Sequence, residues 1–206
     1  MDLHIHTKYS GHSTLSTQQV AKIARDKKLD WVAITDHNEV RGAHELAKLF
    51  PTIIGEEISA DEGDIIGLFL TEQVNRGSAL EVIDVIRGQG GLVMIPHPFD
   101  SLRSEAVMSE DICLKADIIE AFNSRVVRAS DNKRALEFAR EHGIASSVGS
   151  DAHTKTEIGR AWMELEQFDD AKSFLRSLAT ATMHTSRSPI YVHLHTKILK
   201  ATAGMR

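Results

Sequence analysis

Residues 131–153 read Asp-Asn-Lys-Arg-Ala-Leu-Glu-Phe-Ala-Arg-Glu-His-Gly-Ile-Ala-Ser-Ser-Val-Gly-Ser-Asp-Ala-His. Asp131 to His142 reads as a helix, and Gly143 stands where a left-handed residue ends one. Ile144 to Val148 reads as a short strand, which the chain leaves through Gly149-Ser150-Asp151-Ala152-His153. A carboxylate and an imidazole therefore lie just past a strand's C-terminal end.

The same alternation extends outward in both directions. Leu3 to His6, Trp31 to Thr35, Leu92 to Ile95 and Ile118 to Phe122 read as strands. Ser16 with Gln19, and Ser78 with Glu81, have capping-box spacing. The first precedes an apolar face of Val20, Ile23 and Ala24, and the second precedes Leu80, Ile83 and Ile86. Glu39 to Phe50 and Glu105 to Leu114 read as helices. Thr52 to Ile58 and Asp64 to Leu70 are two further strands, and the polar Ser59 to Gly63 between them fits a hairpin turn. Downstream, Ala161 to Leu165 reads as a strand and Asp170 to Ala179 as a helix. In the tail from Thr180 to Arg206, Ile190 to His195 alternates like a strand and Lys197 to Arg206 is expected to fray. Repeated β-then-α units argue for a parallel α/β architecture, and about seven of them close more naturally as a barrel than as an open sheet.

At 206 residues the chain is expected to be a single domain, with core motifs over residues 2–165. Its 42% hydrophobic and 26% charged residues are a globular balance. A formal charge of −5 argues against a broad basic surface for duplex nucleic acid. The one cysteine, Cys113, permits no intrachain disulfide and reads as a packed thiol in a helical stretch. No apolar run reaches the roughly 18 residues of a membrane span, and the N-terminus lacks the pattern of a secretory signal. The expected location is the cytoplasm, with no membrane partner.

Eleven histidines in this length are unusual, and they are not scattered. His4 and His6 share one strand face. His12 follows in a polar loop, His37 closes Thr35-Asp36-His37, and His97 sits between two prolines. Glu56 and Glu57 follow Thr52 to Ile54. In a parallel barrel such strand ends converge on one mouth. Imidazoles and carboxylates gathered this way suit borderline divalent metals, and so many donors exceed the needs of one ion. Two ions roughly 3.5–4 Å apart can clamp a phosphoryl group and activate a bridging water.

Taken together, Asp2-Leu3-His4-Ile5-His6-Thr7, Thr35-Asp36-His37, Gly55-Glu56-Glu57, His97-Pro98 and Gly149-Ser150-Asp151-Ala152-His153 resemble the polymerase and histidinol phosphatase (PHP) domain, in that family's order. The resemblance implies a distorted (β/α)7 TIM-like barrel with a centre of two or three divalent ions, Mn, Zn or Fe. It implies as ligands His4, His6, His12, His37, Glu57, His97, Asp151 and His153. The family's Gly-x-Glu spacing favours Glu57 over Glu56, and the two should face opposite ways on a strand. Many members carry a histidine where this chain has Asp64, and aspartate also ligates. Asp36 reads either as a ligand or as a group that orients an imidazole.

For a phosphate substrate, Arg125 and Arg160 are expected at the mouth to fork onto phosphate oxygens, with Arg103, Arg128 and Asn123 as further candidates. Asp151 and His12 complete the expected catalytic set, His12 either stabilising or protonating the leaving oxygen. His44 and His142 read as surface residues. His193-Leu194-His195 repeats the first spacing without surrounding partners and reads as an exposed strand face. The expected activity is metal-dependent hydrolysis of a phosphate monoester by a metal-bridging hydroxide. The substrate class is small and nucleotide-like, with short oligonucleotides as a further partner. The rivals are a 5′-3′ exonuclease or phosphodiesterase, a histidinol phosphatase, and a non-catalytic metal-binding module. An aromatic content of 5% weighs against a base-stacking nuclease groove.

Overall fold

The computed structural model describes residues 1–194 and 196. Its helices are α1 (Thr17–Asp26), α2 (Arg41–Ala47), α3 (Ala79–Gly88), α4 (Glu110–Cys113), α5 (Ala129–His142) and α6 (Ala171–Ser177). Its strands are β1 (Val32–Ile34), β2 (Thr52–Ala60), β3 (Gly63–Leu68), β4 (Leu92–Ile95), β5 (Ile118–Asn123), β6 (Ala145–Gly149), β7 (Ala161–Glu164) and β8 (Thr182–Thr185). Both expected capping boxes are present. Ser16 and Ser78 each accept the N–H three residues on, and Gln19 and Glu81 reach back to the cap backbone. On α3 the buried face is Ala79, Val82, Ile83 and Ile86. Leu80 is 51% exposed, because it falls off that stripe at 3.6 residues per turn.

Six strands form one curled sheet in the order β1-β2-β3-β4-β5-β6. The pairs β1/β2, β4/β5 and β5/β6 are parallel, whereas β3 runs antiparallel to both its neighbours. The expected hairpin is there, pairing Ser59 with Asp64 and Ala60 with Gly63. The N-terminal segment closes the curl: Asp2 bridges Val32 beside β1, and Ile5 bridges Ala152 just past β6. Backbone bonds from Thr35 N to Ile5 O at 3.0 Å and from His6 N to Ala152 O at 2.9 Å hold that seam. The result is an α/β barrel of seven strand-like pieces, distorted by one reversed strand.

Three local expectations change. Ala161 to Leu165 forms a strand but not a barrel stave. It pairs with β8 in a separate two-stranded ribbon, and Met163 exchanges backbone bonds with Met1. The expected helix from Glu105 shrinks to α4, because the Glu105 carbonyl accepts from Asp64 N and the Val107 carbonyl from Phe99 N. Residues 191–194 are helical rather than extended. His195 and residues 197–206, where fraying was expected, lie outside the described residues.

Strand alternation builds the interior in layers. On β2, Ile53 and Glu57 share a face; on β3, Asp64, Ile66 and Leu68; on β5, Ile118 and Glu120. The apolar members join Ala33 and Met94 in one buried cluster, closed from below by Ala161, Met163, Phe174 and Leu178. The carboxylates are left at the opposite end. Because β3 runs backwards, Asp64 at its start lies at the same end as Glu57 near the close of β2. On the outside, α1 and α2 cover Val32 and Ile34, while α3 and α5 cover Ile65, Val93, Ile95 and Ile119. No helix among the described residues is long and apolar enough to cross a membrane.

Candidate metal centre

His4 and His6 face each other with their Nε2 atoms 3.1 Å apart. His4 Nδ1 lies 2.9 Å from Glu120 Oε1, so its proton belongs there and the Nε2 lone pair is free to point at the cluster. His6 Nδ1 is held by Ser10 Oγ at 3.1 Å. Two carboxylates flank the pair. Glu57 Oε2 is 3.2 Å from His6 Nε2 and 3.3 Å from His37 Nδ1, and Glu57 Oε1 is 3.2 Å from His97 Nε2. Asp151 Oδ1 lies 3.3 Å from His6 Nε2 and 3.8 Å from His4 Nε2.

Within this cluster, four groups of three residues can each offer donor atoms within 4.8 Å of one another: His4-Glu57-His97, His4-His6-Asp151, His6-His37-His153 and His37-Glu57-Asp64. Glu57, His4, His6 and His37 each belong to two groups, so adjacent ions would share ligands. The donors are imidazole nitrogens and carboxylate oxygens, the set that suits zinc, iron and manganese. Lone pairs converging on one small volume beside buried carboxylates fit divalent cations. His12 stands at the rim, its ring 5.0 Å from His37 and 4.8 Å from His153.

The electrostatics follow from burial and charge. Burial alone would lift Glu57 and Asp151. Their basic neighbours win, His37 and His4 for Glu57, Arg103 and His4 for Asp151, and hold both well below the carboxylate range. Burial opposes charging His4, yet Glu120, Asp151 and Glu57 push its proton affinity well above the ordinary value. The field that would hold a proton there is the field that would hold a metal cation. At the rim burial prevails. His37 drops to about 3 and His153 falls well below its ordinary value, so both stay neutral, as ligands must. Asp64 rises to about 8 through burial and the nearby Glu57 charge.

The backbone is strained where the site needs it. His97 has φ +33° and Asp151 φ +53°, both in the left-handed region that non-glycine residues avoid. Such residues cost on the order of 1–3 kcal/mol and cluster at functional sites. Gly149 leaves room for this packing, since a Cβ there would strike Glu120 Oε1 and His4 Cβ.

Seven of the expected ligands thus meet with Asp64 in these donor groups, with His12 at their rim, and Glu57 rather than Glu56 faces them. Glu56 points outward and accepts Val74 N at 2.8 Å. Asp36 is no part of the donor groups. It accepts from Thr7 N, Thr7 Oγ1 and Ser10 Oγ, each at 2.6 Å, and so fixes the turn that carries the Ser10 contact to His6. Arg160 does not reach the mouth, contrary to expectation. Its guanidinium donates to the carbonyls of Thr156 and Arg187 and lines a separate cleft with Lys27, Trp162 and His184. The reason is that β7, which Arg160 precedes, belongs to the outer ribbon. Arg125 lies at the mouth, but protein groups take its fork: His153 Nδ1 at 2.9 Å, Val192 O at 3.1 Å and Thr196 Oγ1 at 2.6 Å. Arg128 instead donates to Ser101 Oγ.

Two contributors were underweighted by sequence reasoning. Arg103, ranked low, contacts Asp151 Oδ2 at 2.7 Å and Asp100 at 3.1 Å, and lines the mouth. Glu120, overlooked, ties His4 Nδ1, His97 N and Asn123 Nδ2 together. Its signal was a lone carboxylate inside the otherwise apolar Ile118 to Phe122 run. His44 and His142 are exposed, as expected, and Cys113 is buried.

Comparison with known proteins shows the family and the fold. The PHP domain family matches residues 2–100, and the PHP-associated C-terminal family matches residues 129–182. A Methanocaldococcus jannaschii protein, MJ0417, is 38% identical over 196 residues, covering 88% of this chain and 80% of its own length. The fold is shared with a two-domain Bacteroides vulgatus protein containing a predicted PHP-like metal-dependent phosphoesterase. That likeness has TM-score 0.71 and 17% identity, over 90% of this chain and 64% of that one. It is shared also with the lesion-specific endonuclease PfuEndoQ of Pyrococcus furiosus, at TM-score 0.59 and 18% identity, over 89% of this chain and 56% of that one. The chain belongs to the PHP family.

Proposed function

We propose that this chain is a metal-dependent phosphoesterase that hydrolyses a small phosphate monoester of nucleotide type. In this reading His4, His6, His12, His37, Glu57, Asp64, His97, Asp151 and His153 hold two or three Mn, Zn or Fe ions. One observation carries it: four donor groups at the barrel mouth overlap through Glu57, His4, His6 and His37, each of which belongs to two of them. Bound ions would supply Lewis-acid stabilisation of phosphoryl oxygens and a water nucleophile at neutral pH.

The chain's own residues supply the rest. Glu120 fixes the His4 tautomer, and Ser10 orients His6. Glu57 and Asp151 stay ionised, so they present charge rather than protons. Arg103 is the guanidinium that would meet charge developing on phosphoryl oxygens, in the part given earlier to Arg160. His12, at the rim, either holds the third ion or, left unligated, protonates the leaving oxygen. Arg125 orients His153.

The test is phosphate release with added Mn²⁺ from nucleoside monophosphates, nucleoside 3′,5′-bisphosphates, histidinol phosphate and a 5′-phosphorylated oligonucleotide. One small ester should turn over in a chelator-sensitive way. His4→Ala, Glu57→Ala and Asp151→Ala should lose bound metal and turnover together by more than about 100-fold, beyond the effect usual for groups that only orient a ligand. An Asp151→Ala protein that stays active while depleted of metal overturns the mechanism.

A further inference from the structure

Past the ribbon strand β8 the chain turns back over the barrel mouth. Ser188 N donates to Ser124 O at 2.7 Å, and Arg187 Nη2 donates to Val126 O at 3.2 Å. Arg125, which also touches His153, then grips the returning helical turn through Val192 O and Thr196 Oγ1. Val192 and Thr196, four residues apart on one helix face, are buried against the barrel, while Ile190, Tyr191 and Leu194 face outward. His193 and Thr196 line the mouth cavity together with His12, Arg103, Asp151 and His153. That cavity measures about 210 Å³. Ordinary small-molecule sites occupy roughly 300–1,000 Å³. The segment lies beyond residue 182, where the PHP-associated match ends.

We propose that the segment from Arg187 to Leu194, anchored through Val192 and Thr196, is a strap across the mouth that admits a compact phosphate monoester and excludes a phosphodiester substituted on both sides, with His193 as its specificity-determining side chain. The proposal takes the nature of the ligand from the phosphoesterase reading. The strap is carried by its own observations: an anchor on a buried guanidinium, a side chain lining the mouth, and a mouth cavity below the usual small-molecule range.

The experiment measures two ratios on the full-length, Mn²⁺-loaded protein. The first is kcat/KM for p-nitrophenyl phosphate against bis(p-nitrophenyl) phosphate. The second, free of catalysis, is calorimetric Kd for methylphosphonate against diphenylphosphinate. His193→Ala should move both ratios toward the doubly substituted compound by about tenfold, the low end of what one pocket contact discriminates. His193→Gln, which keeps most of the bulk, should restore them toward the original values. A chain ending at Ser188, checked for folding by circular dichroism, should move them further. Ratios unchanged in both variants, with metal bound, overturn the strap while leaving the phosphoesterase reading standing. A shifted binding ratio in a protein that hydrolyses neither ester supports the strap and overturns that reading. Failure of the metal-loaded protein to bind either anion overturns the strap as well.

Discussion

Glu56 and Glu57 are neighbours in sequence and opposites in chemistry. Alternation turns Glu57 into the cluster, where the neighbouring imidazoles hold it ionised, and turns Glu56 outward, where burial pushes its carboxyl up to about 7. Glu120 acts one step further from the metals: it contacts no expected ion position but sets which nitrogen of His4 faces them. Glu120→Gln keeps the shape and removes the charge that fixes that tautomer. Metal affinity should fall by about 10–100-fold with the fold intact, as for other groups that orient a metal-bound histidine. Competition against a metal-sensitive dye checks this, and an unchanged affinity would remove Glu120 from the site.

Among the elements, β3 is the decisive one. Its reversal brings Asp64 to the mouth, and the short polar turn from Ser59 to Gly63 announces it, because so short a link cannot make a parallel crossover. The helices are more local in their logic. α3 starts at a reciprocal cap between Ser78 and Glu81, far along the chain from every donor residue. Ser78→Ala should cost about 1 kcal/mol. In a domain of this size that lowers Tm by roughly 2–4 °C. Metal affinity should stay as it was. A thermal melt with and without Mn²⁺ reads both effects, and a loss of metal binding would mean that α3 supports the centre after all.

At the scale of the whole molecule, the barrel is closed at one end by apolar side chains from the ribbon and α6, and its donors are gathered at the other. Anionic and neutral donors packed this tightly repel one another or await protons until a cation arrives, so metal binding and stability are linked. An ion present at 100 times its Kd should stabilise the fold by about 2.7 kcal/mol. For this chain that is a rise in Tm of roughly 5–10 °C. The rise should vanish with chelator and in Glu57→Ala. A melt that ignores Mn, Zn and Fe alike would argue that the cluster holds no divalent ion.

Much of this was legible in the chain itself. The helix caps at Ser16 and Ser78, the hairpin at Ser59 to Gly63 and the family motifs depend on residues close in sequence, where local geometry and spacing decide. His4, His6, Glu57, Asp151 and His153 were readable for the same reason: each sits in a short motif beside a strand end. Other features depended on contacts between distant residues. Only the folded chain placed β7 in an outer ribbon and so withdrew Arg160 from the mouth. Only it brought Arg103 to Asp151, set Glu120 behind His4 and laid the C-terminal turn on Arg125. Local propensity determines which elements form and which faces are apolar. Which strand leaves the barrel for a ribbon, which guanidinium finds which carboxylate and what covers a mouth are decided by packing across the whole molecule.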